Sequence, residues 1–122
     1  MYISDLHIHS RFSRATSKEG DPEHLDLWAR KKGIHLVGTG DFTHPQWREE
    51  LKEKLEPEGN GLYRLKKEYQ IRDAMTPDSI EPRFVVTGEI SSIYKKNDET
   101  RKVHSLLILP GLEAADRLSA RL

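Results

Sequence analysis

The chain has 122 residues, enough for one domain with a real core but short for a complete barrel enzyme. Lys plus Arg equals Asp plus Glu at 20 each, so no global field selects nucleic acid or membrane as a partner. There is no cysteine, which excludes disulfides and thiolate zinc sites. No apolar run approaches the roughly 18 residues of a membrane span and no signal peptide precedes the first strand, so a cytoplasmic location is expected.

The first predicted element is a strand through Tyr2-Ile3 into Asp5-Leu-His-Ile-His9. Strand alternation puts Asp5, His7 and His9 on one face and Leu6 and Ile8 on the other. Arg11 to Gly20 is a polar loop. Asp21 as N-cap and Pro22 at the first helical position open a helix; Leu25, Leu27, Trp28 and Ala29 form its buried stripe. Arg30, Lys31 and Lys32 suit its C-terminal dipole and Gly33 its C-cap. Ile34 to Thr39 is a short buried strand, and strand–helix–strand with short links implies a parallel sheet. Pro45 opens a second helix through Trp47, Leu51 and Leu55, ending before Pro57. Residues 57–61 form a turn, Leu62 to Met75 reads as helix or ribbon, and Phe84 to Gly88 is a third strand. Ile90–Tyr94 and Val103–Leu109 read as a hairpin joined by residues 95–100. A last helix from Leu112 has no cap before Leu122, so the chain is expected to stop inside it, as a truncated piece would.

Four groups fall at predicted strand ends, where parallel β/α folds put their chemistry. They are His7 with His9, Asp41 with His44, Glu89, and His104 on the hairpin's return. A lone His-x-His is usually a pair of surface histidines, Asp41 has a simpler role as a helix N-cap, and Glu89 as a solvated strand end. Together, imidazole and carboxylate donors form a ligand set for Zn²⁺, Mn²⁺ or Fe²⁺, zinc foremost, with Asp5 placed to orient an imidazole. Two or three such ions suit phosphate-ester hydrolysis, because they lower the pKa of a bound water and clamp the attacked oxygens. His7, His9, Asp41 and Glu89 are then catalytic through the water the ions activate. His24 and His35 have no such company and read as structural.

Asp5-Leu-His-Ile-His-Ser10 resembles the opening motif of the PHP (polymerase and histidinol phosphatase) superfamily of metal-dependent phosphoesterases. Gly38-Thr-Gly-Asp-Phe-Thr-His-Pro45, Thr87-Gly-Glu-Ile-Ser-Ser92 and Arg101-Lys-Val-His104 resemble the endonuclease Q branch, whose members cut DNA on the 5′ side of deaminated bases and abasic sites. The resemblance covers the whole chain. It implies an α/β fold: part of a distorted TIM-like (β/α) barrel, truncated after about three βα units and a hairpin where a full barrel takes about eight strands. It also implies metal ligation by His7, His9 and Glu89, with His104 matching the histidine after the bridging glutamate. The superfamily's usual Thr-Asp-His becomes Asp41-Phe-Thr-His44 here, so both residues are candidates. The histidine that many members carry after His-x-His is replaced by Arg14 and Ala15. Later ligands fall beyond Leu122. Residues 1–122 are thus expected to be the N-terminal part of a PHP domain, a poor catalyst alone, self-associating through an open barrel edge.

A DNA substrate calls for cations near the metals. Arg11, Arg14 and Lys18 follow His9, and Arg101 and Lys102 lead into His104; Lys95 and Lys96 read more simply as solvated. Trp47 and Tyr94 are candidates for stacking on an extruded base, although Trp47 at helical spacing with Leu51 reads as core. The alternatives are a PHP phosphatase acting on a small phosphate monoester, and a non-catalytic metal-stabilised PHP module.

Overall fold

The computed structural model describes residues 3–6, 20–72, 80–96 and 99–121, with backbone alone over 90–104. A six-stranded sheet carries β1 (Ser4–Asp5), β2 (Leu36–Gly38), β3 (Leu55–Gly59), β4 (Leu62–Leu65), β5 (Arg83–Lys96) and β6 (Glu99–Leu109), with β1, β2, β5, β4 and β3 side by side and β6 pairing β5. Among the described residues three α-helices accompany it: α1 (Pro22–Lys32), α2 (Pro45–Lys54) and α3 (Leu112–Ser119). Among the described residues no helix is long and apolar enough to cross a membrane.

β1, β2 and β5 are parallel, as the strand–helix–strand reading requires. Ser4 lies beside Leu36 and Asp5 beside Val37; Leu36, Val37 and Gly38 lie beside Arg83, Phe84 and Val85. All three strands therefore end on the same side of the sheet. β4 runs antiparallel to β5 at Phe84 and Val85, and β6 takes over from Val86 to Lys96.

The local chemistry explains most boundaries. In α1, Asp21 Oδ1 accepts from the His24 amide at 2.8 Å and lies 2.7 Å from its ring Nδ1, and Gly33 closes the helix at φ 76°. His35 staples β1 to β2: its Nδ1 accepts from the Ile3 amide at 2.9 Å, while its own amide donates to Ile3 O at 2.7 Å. Both histidines thus make structural contacts, His24 within its own helix start and His35 across to Ile3. α2 runs straight into β3 without Gly or Pro, because the Lys66 amide takes the Lys54 carbonyl at 2.9 Å and Leu55 pairs with Leu65. Gly59, Asn60 and Gly61 all have positive φ, and residues 55–65 are a hairpin about that turn, so of the helix or ribbon left open from Leu62 the structure takes the ribbon over Leu62–Leu65. Pro57 is tolerated because β3 is an edge strand.

Three further expectations are corrected. The predicted third strand and the first hairpin strand are one 14-residue strand, β5, which continues through Gly88 and Glu89. The buried face of α1 is Leu25, Asp26, Ala29 and Arg30, with Leu27 and Trp28 only half-buried. α3 ends at Ser119, with Ala120 and Arg121 in a turn, rather than running on to the last residue. One core joins Leu25 and Ala29 of α1, Val37, Phe84 and Val86 of the sheet, Trp47 and Leu51 of α2, and Leu112 and Ala115 of α3.

Candidate functional site

The loop after β2 is fastened to β5 by backbone and hydroxyl groups. Thr39 and Thr87 are both fully buried and exchange bonds: the Thr87 amide donates to Thr39 Oγ1 at 3.2 Å, and the Gly40 amide donates to Thr87 Oγ1 at 3.0 Å. The Thr39 amide continues the ladder to Val85 O at 2.9 Å. Close approach is required at two glycines. A Cβ on Gly38 would stand 2.4 Å from the Leu6 carbonyl oxygen, and one on Gly88 would stand 2.1 Å from the Phe42 ring. Phe42 is itself fully buried. The loop bearing Asp41 and His44 therefore lies directly on the residue preceding Glu89.

Within that loop Gly40 and Asp41 are both left-handed, at φ 67° and 49°. Such a conformation costs a non-glycine residue roughly 1–2 kcal/mol, least for Asp and Asn, and is often found where function holds a side chain in place. The turn closes through the His44 amide to Asp41 O at 3.0 Å, and His44 then caps α2 with Pro45 behind it. From α2 the buried Trp47 indole N–H donates to Thr39 O at 3.1 Å and to Gly40 O at 2.9 Å. Trp47 is fully buried, so it belongs to the core reading and not to base stacking. Arg48 Nη1 donates to Phe42 O at 2.8 Å, while its Nε holds Asp116 of α3 at 2.9 Å. The hydrogen bond from Lys52, helped by Arg48, keeps the Asp116 carboxyl below its usual range. α3 is thereby tied to the same loop.

Among the predicted site residues, the segments carrying Asp41, His44 and Glu89 are brought together, and Asp5 ends β1 beside β2. On the β5–β6 ladder, His104 stands opposite Ser91, on the face that carries Glu89. His7, His9, Arg11, Arg14 and Lys18 lie outside the described residues. Among the described residues, no three of His, Asp or Glu gather as a metal ion requires. The fastening by Thr39, Thr87, Trp47 and Arg48 was not anticipated. The available signal was the threonine that each of Val37-Gly-Thr39 and Val86-Thr-Gly88 carries after an apolar strand residue.

The backbone strain at Asp41 has a measurable consequence. Asp41→Val should lower stability by roughly 1–2 kcal/mol and Asp41→Asn should leave it nearly unchanged, since Asn accepts the left-handed region and a β-branched residue does not. Urea unfolding midpoints of the two variants separate the backbone role of Asp41 from any role of its carboxylate.

This arrangement defines a mixed α/β protein in which the loop carrying Asp41 and His44 packs against β5 beside Glu89. No protein-family profile matches the chain. Over 49 residues, 40% of this chain and 6% of the relative, it is 51% identical to the uncharacterized protein MJ0043 of Methanocaldococcus jannaschii. In three dimensions the chain is similar to endonuclease Q. It aligns with a crystal structure of endonuclease Q in complex with a 27-mer duplex substrate bearing an abasic lesion at the active site, at TM-score 0.70 and 29% identity over 97% of this chain and 25% of that one. The lesion-specific endonuclease PfuEndoQ of Pyrococcus furiosus aligns equally well, again at TM-score 0.70 and 29% identity, over 97% of this chain and 24% of that one. The chain spans about a quarter of the length of these solved structures.

Proposed function

We propose that this chain is part of a metal-dependent phosphodiester hydrolase that cuts DNA at deaminated or abasic sites during repair. The observation that carries the reading is the likeness to endonuclease Q over 97% of the chain at 29% identity, the neighbour being a complex with lesion-bearing duplex DNA. In this reading the six strands form one part of a distorted (β/α) barrel of the PHP type, and the 122 residues alone are a poor catalyst.

The donor types fit a divalent transition metal: imidazoles and carboxylates on a rigid sheet, with the Asp41 loop pinned by Trp47 and Arg48. His7, His9, Glu89 and His104, with Asp41 or His44, would hold two or three ions, zinc foremost, and Asp5 would orient an imidazole. Such ions supply Lewis-acid activation of water and of the phosphoryl group. The chain's own part is positional. The Thr39–Thr87 exchange fixes the spacing between the Asp41 loop and Glu89, and Arg11, Arg14, Lys18, Arg101 and Lys102 would supply cations for the substrate phosphates.

The test is a nicking assay with the full-length protein on duplexes carrying one uracil, hypoxanthine or abasic site, beside metal titration of this chain. His7→Ala combined with Glu89→Ala should abolish cutting by at least 100-fold while DNA affinity persists. Undiminished cutting by the double variant would overturn the metal reading. Hydrolysis of small phosphate monoesters without any DNA affinity would favour the phosphatase alternative.

A further inference from the structure

The β5–β6 ribbon extends well past the sheet that carries it. β2 accompanies β5 only as far as Val85, whereas β6 pairs with it from Val86 to Lys96. Directly opposed residues of an antiparallel pair share a face and successive residues alternate, so the register sorts every residue of the ribbon. The face of Glu89 holds Leu106 opposite it, then Ser91 with His104, Ile93 with Lys102, and Lys95 with Thr100. The other face holds Ile90 with Ser105, Ser92 with Val103, Tyr94 with Arg101, and Lys96 with Glu99.

The basic residues, which look evenly mixed in the sequence, are thereby divided. Lys102 and Lys95 lie on the face of Glu89 with no acidic residue opposite either. On the reverse face Glu99 stands opposite Lys96, leaving Arg101 as the remaining cation. From the register, Lys102 is level with a position four residues beyond Glu89 and Lys95 is six beyond, or roughly 13 and 20 Å along the ribbon. A two-stranded ribbon also twists right-handedly, so this face winds as it leaves the sheet.

We propose that this one face of the ribbon is a phosphate track, in which Lys102 and Lys95 bind successive backbone phosphates of a nucleic-acid strand leaving the Glu89 end of the sheet. The inference rests on the DNA reading above, and it adds which residues hold the strand and in which direction it runs. Lysines on an edge strand also discourage edge-to-edge aggregation, but that role is indifferent to face. A phosphate track is not.

The experiment compares neighbours in sequence that stand on opposite faces. Binding of a fluorescein-labelled duplex carrying one abasic site is followed by anisotropy over a range of salt, for the full-length protein unaltered, with Lys95→Gln and Lys102→Gln together, and with Lys96→Gln alone. The double variant should bind about tenfold or more weakly, and its slope of log affinity against log salt should fall by about 2, one for each lysine that no longer neutralises a phosphate. Lys96→Gln should keep the original slope. Equal losses in both variants, or none in either, would overturn the track while leaving the DNA reading in place. Absence of any salt-dependent binding by the unaltered full-length protein would overturn both. Unchanged thermal unfolding of the variants confines the effect to binding.

Discussion

Replacing Trp47 by Ala should lower the stability of the domain by about 3–5 kcal/mol, because a fully buried indole is lost from the centre of the core. The more informative variant is Trp47→Phe. It keeps most of the packing and removes only the N–H that binds Thr39 O at 3.1 Å and Gly40 O at 2.9 Å. Those carbonyls sit in buried residues, so losing their donor should cost roughly 1–3 kcal/mol. The cost should be felt locally, where Gly40 and Asp41 adopt left-handed backbone. Urea unfolding gives the magnitude, and amide hydrogen exchange gives the place: faster exchange from Gly40 to His44 with little change in α1. If exchange in the loop is unchanged, the Thr39–Thr87 exchange and the Phe42–Gly88 contact suffice to hold it. The indole would then be a packing residue only.

The parts of this fold that were legible in the sequence are those whose stabilising chemistry is local. Asp21-Pro22 and Gly33 mark α1 because a cap and a left-handed residue act within a few positions of themselves. β2 and the start of β5 show as apolar runs because both sides of a parallel strand are covered. What was missed is set by contacts distant in sequence. Leu55 leaves α2 for a strand because Leu65 and Lys66 are waiting for it, and the better clue was Asn60-Gly61, the strongest short hairpin signal, overshadowed by Pro57. Gly88 looked like the end of a strand, yet its missing side chain makes room for Phe42, 46 positions away in the chain, and the strand runs on. The site divides in the same way. Asp41 and His44 could be picked out in the loop after β2, whereas Glu89 lies inside β5 and His104 inside β6 rather than at strand ends. The threonines and the indole that fix the backbone of that loop could not be picked out, because a buried hydroxyl or N–H shows its purpose only through its partner.

Arg30 is a second case of chemistry hidden by sequence distance, and its removal should be as costly as that of Trp47. It reads as a dipole-complementing residue in the last turn of α1, but it is fully buried. Its Nε donates to Asp26 Oδ2 at 2.8 Å and its Nη1 to Ile80 O at 3.0 Å, so it fixes the crossover helix to the segment that leads into β5. Burial pushes the Asp26 carboxyl above its ordinary value, against the pull of Arg30 and, more weakly, of Arg72, with Glu81 adding to the rise. Arg30→Met removes the main opposing pull and should cost about 3–5 kcal/mol near neutral pH, where a buried carboxylate would be left without its partner. The sign of the pH dependence follows from linkage. A carboxyl whose folded pKa is raised binds more protons in the native state, so its contribution is fully present below the unfolded value of 3.8 and is lost as pH rises through the folded value. The penalty of Arg30→Met should therefore be smallest near pH 4 and grow toward pH 8. Asp26→Leu combined with Arg30→Met should recover most of it, since two apolar groups of similar size leave no charge to compensate. Urea midpoints across that pH range measure both effects. A penalty that stays constant with pH, or a double variant no better than the single, would place the role of Arg30 in its bond to Ile80 rather than in its charge.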